Sequence, residues 1–267
     1  MDIYSLHQGS APLLISLPHD GEQVPSDVAM RLTPSARCVP DTDWGVARLY
    51  AFAREMGASL LVPRYSRYVV DLNRSSDDTS LYPGQNTTGL CPHVQFSGEP
   101  VYLPEREPDA EEIASRVQQY WLPYHQALQA ELQRLREAHG RVVLWEAHSI
   151  RSELPFLFEG VLPDFNLGTA SGSSCSALLQ ERLAGVLESQ ADYSHIVNGR
   201  FKGGFITRHY GQPQQGVDAV QLELAQSVYM DEASARYLPP RAAAVQPTLQ
   251  RLLEVCLQTC RELVHAA

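Results

Sequence analysis

Short apolar runs alternate with amphipathic stretches along the chain, and this alternation predicts strands separated by helices. Residues 13–17 form a largely apolar run between two prolines, which is typical of a buried strand. Similar runs predict further strands at residues 59–62, 67–71, 141–145 and 220–224. Apolar residues at helical spacing predict helices over residues 44–56, 109–139, 175–188 and 245–264.

Strands that alternate with helices indicate an α/β fold, in which helices cover both faces of the sheet. In such folds ligands bind beyond the carboxyl ends of strands. Residues 75–108 are rich in Gly, Pro, Ser, Thr and Asp and lack periodicity, so we interpret them as a long active-site loop. We expect a single domain over residues 1–267.

The composition is that of an ordinary globular protein, with 44% hydrophobic residues among 267. The 31 acidic residues outnumber the 21 Lys and Arg, and the net charge of −10 argues against nucleic-acid binding. An anionic substrate would therefore need a local arginine cluster or a metal ion. No apolar run approaches the roughly 18 residues of a membrane helix, so no membrane association is expected. Five scattered cysteines and a start without signal-peptide features favour a cytoplasmic location.

Candidate metal ligands follow two of the predicted strands. His19 and Glu22 come directly after the first strand, at a spacing that lets both side chains approach one cation. His148 can add a second imidazole from the end of a later strand. Two histidines and one glutamate, with one position open for water, form a catalytic zinc set. The alternative for residues 18–22 is a capped turn with exposed polar side chains.

Candidate anion-binding residues occur in two segments. Arg74 follows Asn73 after the predicted strand 67–71, and their guanidinium and amide donors suit a carboxylate. Glycines flank a basic, aromatic stretch at residues 199–211, which favours a loop that closes over an anion. In that loop Arg208 is the expected second clamp, with His209 beside it. A surface ion pair for Arg74 and a flexible basic loop for residues 199–211 are the structural alternatives.

Glu223 is a carboxylate in an otherwise apolar predicted strand, where burial is costly unless the group is paired or used. It is a candidate general base and proton donor, and an arginine-paired core glutamate is the alternative. Asp41 and Asp43 are interpreted as the N-cap region of the helix at 44–56, with a role near the metal as the alternative. The sequence contains no nucleophile elbow, P-loop or dinucleotide-binding motif.

Taken in order, these motifs resemble the N-formylglutamate amidohydrolase family. The resemblance spans roughly residues 13–229 and rests on residues 18–22, 41–44, 66–74, 146–149, 199–211 and 221–224. A more distant likeness is to zinc carboxypeptidases and aspartoacylase. The resemblance implies a phosphorylase/hydrolase-like α/β sandwich built on a mixed central sheet.

The resemblance also implies an activity, the hydrolysis of N-formyl-L-glutamate to formate and L-glutamate in histidine degradation. It assigns Zn²⁺ or another divalent metal to His19, Glu22 and His148. Asp20 is the alternative acidic ligand in the same motif. Glu223 is then the acid–base catalyst, while Asn73, Arg74 and Arg208 hold the two carboxylates of the small-molecule substrate.

Two other functions remain open from the sequence. The first is a deacylase for another N-acyl amino acid, such as acylated aspartate. The second is a non-catalytic amino-acid-binding domain, which would use an arginine clamp but has no need of Glu223 beside a metal. Metal content distinguishes the second function from an amidohydrolase.

Overall fold

A seven-stranded mixed sheet forms the centre of the protein, in a computed structural model that describes residues 2–79 and 88–265. Its spatial order is β1-β3-β2-β4-β7-β5-β6. The strands are β1 (Tyr4–His7), β2 (Leu13–Ser16), β3 (Ser59–Pro63), β4 (Val142–Ile150), β5 (Phe165–Gly168), β6 (His195–Val197) and β7 (Val217–Ala225). The pairs β1–β3 and β5–β7 are antiparallel, and all other neighbours are parallel. A separate hairpin joins β8 (Met230–Asp231) to β9 (Arg236–Tyr237).

The two longest strands, β4 and β7, lie side by side at the centre of the sheet. They pair in parallel over nine residues each, from Val142 opposite Val217 to Ile150 opposite Ala225. Every residue of both strands is buried. Their sequences are mostly apolar rather than alternating because helices cover both faces of the sheet.

Helices pack on the two faces of the sheet. The described helices are α1 (Ser26–Ala29), α2 (Val46–Leu49), α3 (Ala110–Arg116), α4 (Leu122–His139), α5 (Ala177–Ser189), α6 (Phe205–Tyr210) and α7 (Pro239–His265). Ile15 and Trp145 pack on the side of α5 and α7, whereas Leu14 and Leu144 pack on the side of α4. Successive strand residues therefore enter two different hydrophobic clusters, as the period of a strand requires. None of the helices within the described ranges is long and apolar enough to cross a membrane.

The central strands and long helices confirm the sequence predictions. The predicted strands at 13–17, 59–62, 141–145 and 220–224 correspond to β2, β3, β4 and β7. The predicted helix at 109–139 is continuous through a π-helical turn, Val117–Trp121, and Asp109 caps it by accepting a hydrogen bond from the Glu112 amide. Gly140 ends it. The predicted helix at 44–56 is shorter, with α2 followed by a 3₁₀ turn at Ala51–Arg54.

The strand predicted at residues 67–71 is wrong. This segment is an irregular loop, although most of its side chains are buried as a strand would bury them. The Val69 amide donates to the Ser66 carbonyl in a turn, and Arg67 pairs with Asp71 four residues later. This local hydrogen bond and ion pair take the place of the hydrogen bonds that a strand would make with its neighbours.

Residues 75–108 form a largely irregular connection wherever the structure describes them, as the composition predicts. Residues 80–87, which belong to the predicted active-site loop, lie outside the described residues. The described part brings Thr88 and Phe96 to the cavity discussed below.

Candidate active site

A cavity of about 110 Å³ opens at the carboxyl ends of β2, β4 and β7. His19 lies three residues beyond the end of β2, while His148 and Glu223 lie near the ends of β4 and β7. Parallel pairing places His148 directly opposite Glu223 in register. All three side chains are buried and line this cavity. The structure therefore brings together three of the residues singled out from the sequence.

A His/Asp/His group forms the centre of this site. The ligand atoms of His19, Asp43 and His148 lie within 4.8 Å of one another. Asp43 Oδ2 is 3.0 Å from His148 Nδ1 and 3.9 Å from His19 Nδ1. Nitrogen and carboxylate donors of this kind are those that Zn²⁺ accepts in catalytic sites.

Each imidazole of the group is held on its far side by a second carboxylate. His19 Nε2 lies 2.6 Å from Asp71 Oδ1, and His148 Nε2 lies 3.0 Å from Glu146 Oε1. Histidines that bind metals commonly engage a carboxylate through the other ring nitrogen, which fixes the ring and raises its basicity. Both Nδ1 atoms are consequently directed towards the side of Asp43.

The surroundings of the two rings shift the pKa values of the two histidines in opposite directions. Burial lowers the pKa of His148, but Asp43 and Glu146 outweigh that effect and raise it well above the ordinary value. Burial, together with Arg67, lowers the pKa of His19. Arg67 also lies 2.6 Å from Asp71, and it holds the pKa of that carboxyl well below its usual range despite complete burial. The group thus combines excess buried negative charge with two imidazoles whose Nδ1 atoms face Asp43, and a divalent cation in place of the ring protons fits it.

The expected acidic ligand, Glu22, does not belong to this group. Its side chain is exposed, and Asp43 occupies the position between the two histidines. Asp20 is not in the group either, because its Oδ1 accepts a hydrogen bond from the Ala47 amide at the start of α2. The sequence predicts that Asp43 belongs to the N-cap region of the helix, with a role near the metal as the alternative. The structure exchanges these roles, with Asp20 at the helix start and Asp43 in the cluster.

Glu223 lines the same cavity as the His/Asp/His group. Among the described residues, none donates a hydrogen bond to its carboxylate, so it is not an arginine-paired core glutamate. Burial is the largest cause that raises its pKa to about 8, with His148 and Asp43 acting in opposite directions. A group with a pKa near neutrality can both accept and donate a proton at physiological pH.

The predicted pair Asn73–Arg74 lines the same cavity. Asn73 Nδ2 lies 3.1 Å from His148 Nε2, and its Oδ1 accepts a hydrogen bond from the Ile206 amide. A Cβ on Gly204 would lie 2.3 Å from Asn73 Nδ2, so only glycine permits this close approach. Asn73 therefore positions His148 and the loop before α6, as well as facing the cavity. Arg74 is half-buried, and its Nε donates to the Thr88 carbonyl at 2.8 Å.

The structure does not bring Arg208 and His209 to the cavity. Both side chains are exposed on α6. Arg208 Nε donates to the Gly203 carbonyl at 2.8 Å, which helps to hold the preceding loop. The His209 ring stacks on Phe205 with centroids 4.8 Å apart. The same glycine-rich segment instead presents Arg200 to the cavity.

Sequence reasoning missed two residues of this site, Arg67 and Arg200, and gave Asp43 a role near the metal only as the alternative to a helix cap. A signal for Arg67 existed in its spacing of four from Asp71, which favours an ion pair. Arg200 stands between Gly199 and Phe201, the glycine and aromatic context that had been noted for the segment as a whole. Nothing local distinguishes Asp43 from a helix cap.

Comparisons with known proteins agree on one family. Residues 11–230 match the model of the family described as N-formylglutamate amidohydrolase. The chain is 52% identical over 256 residues to N-formylglutamate deformylase from Pseudomonas putida, covering 96% of each chain. It is 51% identical to the deformylase of the same name from Pseudomonas aeruginosa, covering 98% of each. In fold it is similar to N-formylglutamate amidohydrolase from Ralstonia eutropha JMP134, with a TM-score of 0.81, 23% identity and full coverage of both chains.

The position of Asp43 leads to a test of the acidic ligand. We expect Asp43→Asn to weaken Zn²⁺ binding by more than roughly 10²-fold, because loss of an outer partner alone costs about 10–100-fold. The measurement is metal content after equilibration with Zn²⁺ and dialysis. Glu22→Gln is the matched control and should keep about one ion per chain. Loss of the ion in Glu22→Gln but not in Asp43→Asn would contradict this assignment.

Proposed function

Because the chain belongs to the N-formylglutamate amidohydrolase family, we propose that it hydrolyses N-formyl-L-glutamate to formate and L-glutamate. The observation that carries this proposal is one cavity that holds a His/Asp/His group, an unpaired glutamate and several arginines. Amide hydrolysis needs the first two, and a dianionic substrate needs the arginines. The family resemblance further implies a step in histidine degradation.

We infer that His19, Asp43 and His148 hold a divalent ion, for which Zn²⁺ suits the donor set. Such an ion supplies Lewis-acid polarisation of a carbonyl and lowers the pKa of a coordinated water. Asp71 and Glu146 contribute by fixing the two rings. Thr207 donates to Glu146 from both its amide and its hydroxyl, so α6 in turn holds Glu146 in place.

Glu223 is the proposed acid–base residue. Its carboxylate would accept a proton from the attacking water as the water oxygen bonds to the formyl carbon. It would then return that proton to the amide nitrogen as the carbon–nitrogen bond breaks. Formate and the free amino group of glutamate are the products. A burial-raised pKa of about 8 matches a group that must alternate between these two states.

Arg74 and Asn73 are the proposed partners of the substrate α-carboxylate. Arg74 adjoins the acidic end of the cavity, where its charge helps to lower the pKa of Asp71 against the effect of burial. The α-carboxylate is the charged group nearest the amide, so Arg74, whose chain neighbour Asn73 lies 3.1 Å from His148, suits it. Arg67 contributes mainly through Asp71, with its guanidinium 4.7 Å from the centre of the Phe96 ring.

The direct test is formate release from N-formyl-L-glutamate by the purified full-length protein. We expect turnover with this substrate, its loss after treatment with a chelator, and its recovery when Zn²⁺ is added back. N-acetyl-L-aspartate serves as the comparison substrate. A clear preference for N-acetylaspartate, or full activity after complete metal removal, would contradict the proposal.

The acid–base assignment predicts a large kinetic effect from a small change. We expect Glu223→Gln to keep the fold and bound metal, since no described residue donates to the carboxylate and Gln has nearly the same size. It should lower kcat by roughly 10²–10⁴-fold, the usual range for acid–base catalysis. Steady-state kinetics and metal analysis are the measurements. Exposed Glu188→Gln is the control, and near-normal turnover of the Glu223 variant would refute the assignment.

Arg74 should matter to every formylated amino acid that carries an α-carboxylate. We expect Arg74→Ala to lower kcat/KM by at least roughly tenfold, since a charged hydrogen bond contributes about 1.5–3 kcal/mol. Arg74→Lys should restore only part of the loss, because an ammonium cannot form the bidentate fork. The comparison variant is Arg64→Ala, which removes an exposed arginine paired with Asp2. Unchanged kinetics in Arg74→Ala would exclude this role.

A further inference from the structure

We propose that Arg200 binds the side-chain carboxylate of the substrate and so determines the preference for formylated glutamate over its uncharged analogues. This inference rests on the proposed function and deepens it. Arg200 lies in the loop before α6 and lines the same cavity as His148 and Glu223.

The guanidinium of Arg200 makes no hydrogen bond or ion pair with the described residues of the protein. Its Nε is buried and has no hydrogen-bond partner, and no carboxylate in the described part of the chain pairs with it. Its carbon Cζ lies 5.4 Å from the centre of the Phe158 ring and 5.8 Å from that of Phe201. A cation that faces a cavity with apolar neighbours and no internal partner is matched to an anion from outside.

The other two arginines of the cavity already have partners. Arg67 pairs with Asp71 at 2.6 Å, although its Nε has no hydrogen-bond partner among the described residues. Arg74 donates to both the carbonyl and the hydroxyl of Thr88, and to the carbonyl of Asn73. Arg200 is therefore the arginine with the most donors available to a ligand.

The other two arginines are tied by contacts to the residues around the His/Asp/His group. Arg67 pairs with Asp71, and Arg74 directly follows Asn73, whose Nδ2 lies 3.1 Å from His148 Nε2. Arg200 makes no hydrogen bond or ion pair with that group in the described part of the chain. With Arg74 assigned to the α-carboxylate, Arg200 is the cation of the cavity that is left for a second carboxylate. In N-formylglutamate the side-chain carboxylate is the charged group farthest from the amide.

The loop that carries Arg200 is fixed before any ligand binds. The Gly204 amide donates to Gln221 Oε1 at 2.7 Å, and the Lys202 carbonyl accepts from the Ala170 amide at 2.6 Å. A Cβ on Gly168 would lie only 2.8 Å from the backbone of this loop, so the loop packs closely against β5. A positioned cation loses less conformational entropy when it binds an anion, so it discriminates more strongly.

The test compares two substrates that differ only in the charge of the side chain, N-formyl-L-glutamate and N-formyl-L-glutamine. Kinetics are measured on the metal-loaded full-length protein for the wild type, Arg200→Gln, Arg200→Lys and Lys202→Gln. Lys202 is exposed on the same loop, so its variant removes the same charge without altering the cavity. We expect the wild type to prefer N-formylglutamate by roughly tenfold or more in kcat/KM.

Arg200→Gln should remove that preference by lowering kcat/KM for N-formylglutamate while leaving N-formylglutamine within about twofold of the wild type. Arg200→Lys should retain part of the preference, and Lys202→Gln all of it. An equal loss on both substrates, or a preference that survives Arg200→Gln, would overturn the inference.

The wild-type measurements separate this inference from the function on which it rests, and they need no variant to fold. Equal wild-type efficiency on the two substrates would overturn the role of Arg200 while leaving the amidohydrolase activity intact. Release of formate from neither substrate would instead overturn the proposed function.

Discussion

The site depends on one electrostatic constraint, which is that several carboxylates are buried against two imidazoles at the ends of the central strands. Asp43 lies between the rings, while Asp71 and Glu146 hold their outer nitrogens. Buried charges are tolerated only when they are paired, hydrogen-bonded or bound to a cation. Arg67 and the ring protons meet part of that requirement. A divalent ion between the imidazoles would meet the rest, so the arrangement that holds this buried charge is also suited to a metal ion.

The sheet fixes the relative positions of these buried side chains. Parallel pairing of β4 and β7 fixes His148 opposite Glu223, and β2 delivers His19 from the other side of β4. Strands buried on both faces keep their relative positions because a shift in register would move every side chain to the opposite face. His148 and Glu223 therefore stand on two neighbouring strands whose relative position is fixed by this register. The arginines come from loops, where their positions depend on contacts such as those of Asn73 with α6.

The residues that the sequence predicts well are those whose position follows from a strand. His19, His148 and Glu223 each lie at or near the end of a long apolar run, and the structure brings all three to one cavity. Asp43 could not be told from a helix cap, because its role depends on contacts with His148, 105 residues away along the chain. Arg200 likewise faces the cavity through a loop path set by contacts with distant strands. Short strands such as β1, β5 and β6 were missed because three or four residues carry too little periodicity.

The charges of the cavity are compatible with the proposed recognition of a dianion by an acidic protein. The protein's net charge of −10 repels anions at long range, but salt screens exposed charges beyond roughly 8 Å at physiological ionic strength. Recognition therefore falls to the few charges that face the ligand directly. Those charges are of two kinds, the buried carboxylates and histidines around Asp43 and the unpaired cation of Arg200. The first kind suits a cation and the second kind suits an anion. A molecule that presents a polarisable amide and a separate carboxylate has groups that match both kinds of charge.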